Sequence, residues 1–214
     1  MSLIDLIKND PPKFHHWGGE DRIGGFGAPQ LDLLKKCMNH VDRGETIKCL
    51  ETGAGLSTAW LLGHGAALHS FFINQSLADS ITAYLEEKNV GDLLEKWTHF
   101  VGPSELTLPD FANKNLNSLF DLCLIDGGHG IHTVFTDFTY QNYLLRKGGI
   151  LLVDDIQIGS CRLLYELLKA EDSFEYFADA KKVVAFRKTT KQRFLPGFGG
   201  QKFLEPLNDA LNAT

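Results

Sequence analysis

The chain has 214 residues, 43% hydrophobic and 22% charged, which fits one globular domain with a well-filled core. Acidic residues outnumber basic ones, 27 to 21, and the formal net charge of −6 argues against nucleic acid as the main partner. No apolar run approaches the roughly 20 residues needed to cross a bilayer. The opening MSLIDLIKNDPPK carries charges too early for a secretory apolar core, so a cytoplasmic protein without membrane contact is expected. Cys37, Cys49, Cys123 and Cys161 form no CxxC pair and read as reduced structural thiols.

In chain order, residues 11–30 (PPKFHHWGGEDRIGGFGAPQ) are rich in Gly, Pro, His and aromatics and read as irregular. Pro29 suits a first helical turn, Leu31, Leu34, Met38 and Val41 follow at helical spacing, and Gly44 suits the stop. A strand over 46–52, a short helix over 56–64 and a strand over 67–73 come next. Ser76 with Asp79 reads as a capping box opening a helix on which Leu77, Ile81, Tyr84 and Leu85 share a face. Strands are expected at 97–101 and, in FDLCLID, at 120–126. Residues 131–146 read as a helix with Val134, Phe138 and Leu145 inward, broken at Gly148 and Gly149. ILLVDD (150–155) is a buried strand, and 160–169 is a helix carrying Leu163, Leu164, Leu167 and Leu168. Strands near 174–178 and 182–187 are close enough for an antiparallel hairpin. Strands alternating with helices imply parallel pairing, and near-continuous apolar strands imply a sheet covered on both faces. The expected fold is α/β and doubly wound, with ligands beyond the C-terminal strand ends.

CLETGAGLSTAW (49–60) places Gly53 and Gly55 between a strand and a helix. A P-loop is excluded, because no lysine lies between Gly53 and His64. A dinucleotide fingerprint needs a third glycine at position 58, where Thr58 stands, and the carboxylate of Glu51 at the strand end would repel a pyrophosphate. A nicotinamide oxidoreductase is disfavoured on the same residues. S-adenosylmethionine carries a sulfonium and no phosphate. Gly53 and Gly55 would let the backbone approach it, the helix N-terminus and the Ser57 hydroxyl would take its carboxylate, and Glu51 would balance its positive charges. A tight turn with no ligand uses the same glycines and stays open.

LIDGGHG (124–130) ends one strand on Asp126, with His129 three residues on, and LLVDDI (151–156) ends the next on Asp154 and Asp155. If the strands are neighbours, three carboxylates converge and repel. A divalent cation resolves this, with oxygen ligands selecting Mg²⁺, or Mn²⁺ or Ca²⁺. Each Asp could instead cap a turn or meet solvent.

Together ETGAGLS, VGPSE (101–105), LIDGGH and GGILLVDD resemble class I S-adenosylmethionine-dependent methyltransferases, more narrowly the metal-dependent O-methyltransferases of the catechol and macrocin kind. The resemblance spans roughly residues 30–187. It implies a Rossmann-like seven-stranded mixed sheet with an antiparallel final strand. With the composition of the two ends, the chain divides into an irregular segment 1–30 that could form a lid, a cofactor-binding domain at 31–190 and a tail at 191–214. The resemblance places the methionine part of the cofactor on Glu51, Gly53, Gly55 and Ser57, adenine at Gly102, Pro103 and Ser104, and the metal on Asp126, Asp154 and Asp155.

At the ribose, where the family carries an acid, this chain has Asn74 and Gln75, whose amides bind hydroxyls more weakly. His129 stands where the catechol-type enzymes place a lysine base. It is either the base that, with Asp126, serves catalysis or a hydrogen-bond partner of Asp126 or of the helix start. The expected reaction is methylation of a small-molecule hydroxyl. A catalytically silent cofactor-binding protein and a metal-independent methyltransferase are the alternatives, and a homodimer stays open. His15, His16 and Trp17, and the C-terminal RFLPGFGGQKF (193–203), are candidate lid pieces. His15 and His16 lack a matching cluster for metal.

Overall fold

A computed structural model describes residues 2–197 and 200–212, the side chain of Trp17 aside. The described elements are α1 (Leu3–Asn9), β1 (His15–Trp17), β2 (Glu20–Arg22), α2 (Ala28–Val41), β3 (Lys48–Thr52), α3 (Leu56–Gly63), β4 (Ala67–Phe72), α4 (Gln75–Glu87), β5 (Trp97–Val101), α5 (Ser104–Lys114), β6 (Phe120–Ile125), α6 (Ile131–Leu144), β7 (Leu145–Val153), α7 (Gly159–Ala170), β8 (Phe174–Ala180), β9 (Val183–Lys188) and α8 (Glu205–Asn212). β1 and β2 form a small hairpin of their own, and the other seven strands make one sheet in the order β5-β4-β3-β6-β7-β9-β8. Pairing is parallel from β5 to β7, and β9 runs antiparallel to both neighbours. The expected seven-stranded mixed sheet with an antiparallel final strand is therefore present.

Strand alternation divides the interior into two layers. Cys49, Leu68, Leu122, Leu124, Ile150 and Leu152 pack with residues of α1 to α4. Leu50, Phe71, Cys123, Ile125, Leu151 and Val153 pack with residues of α5 to α7. A side-chain period of two sends neighbours to opposite faces, and both faces are buried because a helix crosses over between parallel strands. The four cysteines are free and buried in these layers. The chain runs from β3 outward through β4 to β5 and then restarts on the other side of β3 with β6. The crevice between β3 and β6 is thus the topological switch point, where open α/β sheets bind ligands.

Several elements differ from the sequence reading. The segment 1–30 is not irregular throughout. Ser2 and Asp5 make a capping box for α1, with Ser2 Oγ accepting from the Asp5 amide at 3.2 Å, and the helix buries Leu3 and Ile7 for about 2 kcal/mol each. α5 escapes a sequence reading because Pro109 lies inside it, a residue that costs roughly 3 kcal/mol in a helix interior; burial of Leu108, Phe111 and Ala112 outweighs it. α4 is capped by Asn74, whose Oδ1 accepts from the Ser76 amide at 3.0 Å, so the expected Ser76–Asp79 box is corrected. Asp79 accepts from Gln75 Nε2 instead. Leu163 lies at the exposed edge of α7, while Leu164, Leu167 and Leu168 are buried.

The C-terminal candidate lid lies at the wrong end of the sheet. Arg193 stacks over Tyr143 at 4.6 Å and donates to the Leu116 carbonyl, and Lys202 pairs with Asp172. Those partners sit near the C-terminus of α6 and ahead of β6 and β8, opposite the strand ends that carry the motifs. Phe198 and Gly199 of that segment lie outside the described residues. No helix among the described residues is long and apolar enough to cross a membrane.

Candidate functional site

The predicted residues fall along one edge of the sheet, in strand order. Gly102 to Ser104 follow β5, Asn74 follows β4, the Gly53–Ser57 turn follows β3, Asp126 follows β6, and Asp154 and Asp155 follow β7. A ligand lying across β5, β4 and β3 would therefore point its last group at the acids beyond β6 and β7.

Gly53 takes φ 83°, and a Cβ there would stand 2.1 Å from the Asp126 carbonyl oxygen. Its glycine requirement comes from contact between two strand-end turns, which the sequence reading had assigned to cofactor approach. Gly55 takes φ 152°, and a Cβ would meet His15 Nε2 at 2.7 Å. The first-turn amides of α3 have no carbonyl within the helix to bond and lie at the positive end of the helix dipole.

Glu51 does not face the cleft. It is fully buried and accepts from Ser57 Oγ at 2.8 Å, Thr58 Oγ1 at 2.6 Å and Ser70 Oγ at 2.7 Å, while Thr58 Oγ1 also accepts from the Gly55 amide at 2.9 Å. The groups expected to balance the cofactor's charge and to bind its carboxylate, Glu51 and the Ser57 hydroxyl, here bond to one another: they latch α3 to β3 and hold the turn in shape. Thr58 and Ser70 were missed as latch residues, although the period of two already puts Glu51 on the buried face of Cys49. Burial pushes the Glu51 carboxyl up to about 7, against the lowering effect of the three hydroxyls.

A raised carboxyl binds protons in the folded state that the unfolded state has lost. Its stabilising contribution is thus fully present below the unfolded value and is lost as pH rises through about 7, for a total of about 3 kcal/mol. Chemical denaturation of wild type and Glu51→Gln from about pH 5 to about pH 8 should show this extra loss in wild type only. Parallel curves would remove the assignment.

Asn74 Oδ1 is occupied by the Ser76 amide and hydroxyl, which leaves its Nδ2 group as the donor at this strand end. Gly102 (φ 143°) and Pro103 lead into α5, whose first residue is Ser104.

At the acidic mouth the carboxyl group of Asp126 interacts with those of both Asp154 and Asp155. The donor atoms of Asp126, His129 and Asp155 all lie within 4.8 Å of one another. Asp154 is 1% exposed, with Oδ1 accepting from the Asp155 amide at 2.7 Å and Oδ2 from Lys182 Nζ at 3.0 Å. These bonds engage both Asp154 oxygens, and its carboxyl group also meets that of Asp126. Asp155 holds φ 55°, a left-handed conformation that Asp tolerates better than most residues. Its Oδ1 accepts from Lys182 Nζ at 2.5 Å and Gln157 Nε2 at 2.8 Å, and its Oδ2 meets His129 Nε2 at 3.0 Å.

Burial and the Asp154 charge hold the Asp126 carboxyl well above the usual range. Burial would also raise Asp155, but hydrogen bonds from Lys182 and Gln157 and the charges of Lys182 and His129 hold it below. Burial opposes the Lys182 charge, yet its bonds to Asp155 and Asp154 keep the ammonium protonated.

Lys182 was missed by sequence reasoning. No spacing motif contains it. The antiparallel register that pairs Val153 with Val184 carries it across to Asp155, and its carbonyl takes the Ile156 amide at 3.1 Å. The N-terminal hairpin reaches the same place: His15 lies against Gly24 and Gly55, and a Cβ on Gly25 would be 2.5 Å from Lys182 Nζ. His16 faces Asp21 on the exposed side.

The fold defines a class. The O-methyltransferase TomG from Streptomyces achromogenes, involved in tomaymycin synthesis and crystallised with S-adenosylmethionine, aligns with TM-score 0.62 and 21% identity over 78% of this chain and 82% of its own. A putative caffeoyl-CoA O-methyltransferase from Staphylococcus aureus aligns with TM-score 0.61 and 12% identity over 78% and 86%. An O-methyltransferase from Bacillus cereus crystallised with S-adenosylhomocysteine aligns with TM-score 0.59 and 19% identity over 77% and 83%. The chain shares the Rossmann-like fold of these structures. Residues 50–156, which contain the glycine turn and the acidic pair, match the family described as "Methyltransferase domain", and the chain belongs to that family. No curated protein matches the sequence.

Proposed function

We propose that the protein is an S-adenosylmethionine-dependent O-methyltransferase acting on a small-molecule hydroxyl with help from a divalent cation. The observation that carries this reading is the meeting of Asp126, His129 and Asp155 within 4.8 Å, one strand away from the braced glycine turn. An aspartate pair offers the hard oxygen ligands that suit Mg²⁺ or Mn²⁺, with the imidazole beside it. S-adenosylmethionine supplies the electrophilic methyl, and the ion supplies positive charge beside the acceptor oxygen.

Asp126 and Asp155 would hold the ion. His129 donates Nε2–H to Asp155, a tautomer assigned from that hydrogen bond, and so offers Nδ1 to take the acceptor proton. The first turn of α3 would take the cofactor carboxylate, the Asn74 amide the ribose hydroxyls, and the Gly102–Ser104 turn the adenine. The N-terminal hairpin, with His15 over Gly55, would close the site against water and hold the reactants at near-attack distance.

Calorimetry with S-adenosylhomocysteine, with and without Mn²⁺, tests this together with methyl transfer to a panel of phenols and sugars. Binding of the nucleoside, and transfer that stops on adding EDTA, are expected. No binding at all would defeat the reading. A metal-independent methyltransferase is the second reading, favoured by the ammonium already between Asp154 and Asp155, and transfer insensitive to EDTA identifies it.

A further inference from the structure

Lys182 sits in the two-residue connection between β8 and β9, where Lys181 takes φ 55°, a conformation usually left to Gly or Asn. Its side chain is 23% exposed, and the Gly25 backbone lies over its ammonium. It donates to Asp154 Oδ2 at 3.0 Å and to Asp155 Oδ1 at 2.5 Å. Asp155 also faces Asp126 and His129 in the candidate ion site, so the ammonium and a divalent ion share this carboxylate. Asp154 is the more deeply buried partner and also meets the Asp126 carboxyl; its bond to the ammonium runs through Oδ2 and can persist when Asp155 turns to the ion.

We propose that Lys182 is a resident counter-cation that competes with the divalent ion for Asp155 and sets how readily the site loads. Ion entry would break the Lys182–Asp155 bond and leave the Lys182–Asp154 bond intact. The ammonium stays within a few ångströms of the ion as a like charge, which weakens ion binding in a partly buried site. In the absence of the ion it offsets the repulsion between carboxylates that would otherwise face one another. This inference rests on the cation reading above and adds a residue from outside the matched segment.

The test is Mn²⁺ affinity of the full chain, read by electron paramagnetic resonance and calorimetry, with no need for the methyl acceptor. Lys182→Met should bind Mn²⁺ about 10-fold more tightly than wild type. Lys181→Gln, which removes the same charge from the exposed neighbour, should stay within about 2-fold. If Lys182→Met fails to fold, Lys182→Gln, which can still donate to Asp154, should show the same tightening. Wild type that binds Mn²⁺ with unchanged or weaker affinity in both Lys182 variants overturns this proposal alone. An equal gain in Lys181→Gln also overturns it, because the effect would then be one of net charge. Binding by none of the proteins overturns it together with the cation reading.

Discussion

Asp126→Asn is expected to lower methyl transfer by about 10³-fold without lowering the thermal midpoint. Asp126 ends β6 at the mouth and belongs to the converging set with His129 and Asp155. Its carboxyl is pushed up by burial and by Asp154, which favours the neutral form, and an amide of the same shape is a close replacement for that form. Loading a cation requires the charged form, which Asn cannot supply. Stability and S-adenosylhomocysteine binding should therefore persist while turnover falls, as measured by transfer from labelled cofactor to whichever hydroxyl acceptor the panel identifies. Activity within about 10-fold of wild type would remove Asp126 from the machinery.

Gly53→Ala should have the largest effect on stability. The added Cβ would lie 2.1 Å from the Asp126 carbonyl oxygen, a backbone atom that cannot swing aside, and φ is 83°. A loss above about 3 kcal/mol is expected, a fall in thermal midpoint of roughly 10 °C for a chain of this size. Gly44 is the control: it has a similar φ of 78°, but a Cβ there meets nothing within 4 Å. Gly44→Ala should cost about 1 kcal/mol. Equal losses for the two would mean that only the dihedral matters and that the contact between the turns is unimportant.

The sheet was legible because its strands advertise themselves. FDLCLI and GGILLV are apolar nearly throughout, and only strands covered on both faces read that way. The helices that failed were those whose local chemistry disagrees with their final state. α5 contains Pro109, and tertiary burial overrides it; α1 is short and charged, and its Ser2–Asp5 cap went unread. In the site, the strand-end positions of Gly53, Asp126 and Asp155 followed from motif and alternation. The direction of each side chain was harder. Glu51 ends a strand near the ligand-binding positions, yet its carboxylate is taken by hydroxyls of α3 and β4, which alternation in a sheet covered on both faces does not foretell. Lys182 had no such signal. It reaches Asp155 through the pairing of β7 with β9, a long-range register that no local pattern encodes.

The N-terminal ribbon is pinned at both ends, by Phe14 edge-on to Tyr84 and by Phe26 in the core, and between them it touches the β3 turn and the Lys182 ammonium. A band fastened twice opens by bowing outward, never by swinging free. Small hydrated ions should therefore slip beneath it quickly, while a nucleoside-sized guest must wait for the rarer wide excursion.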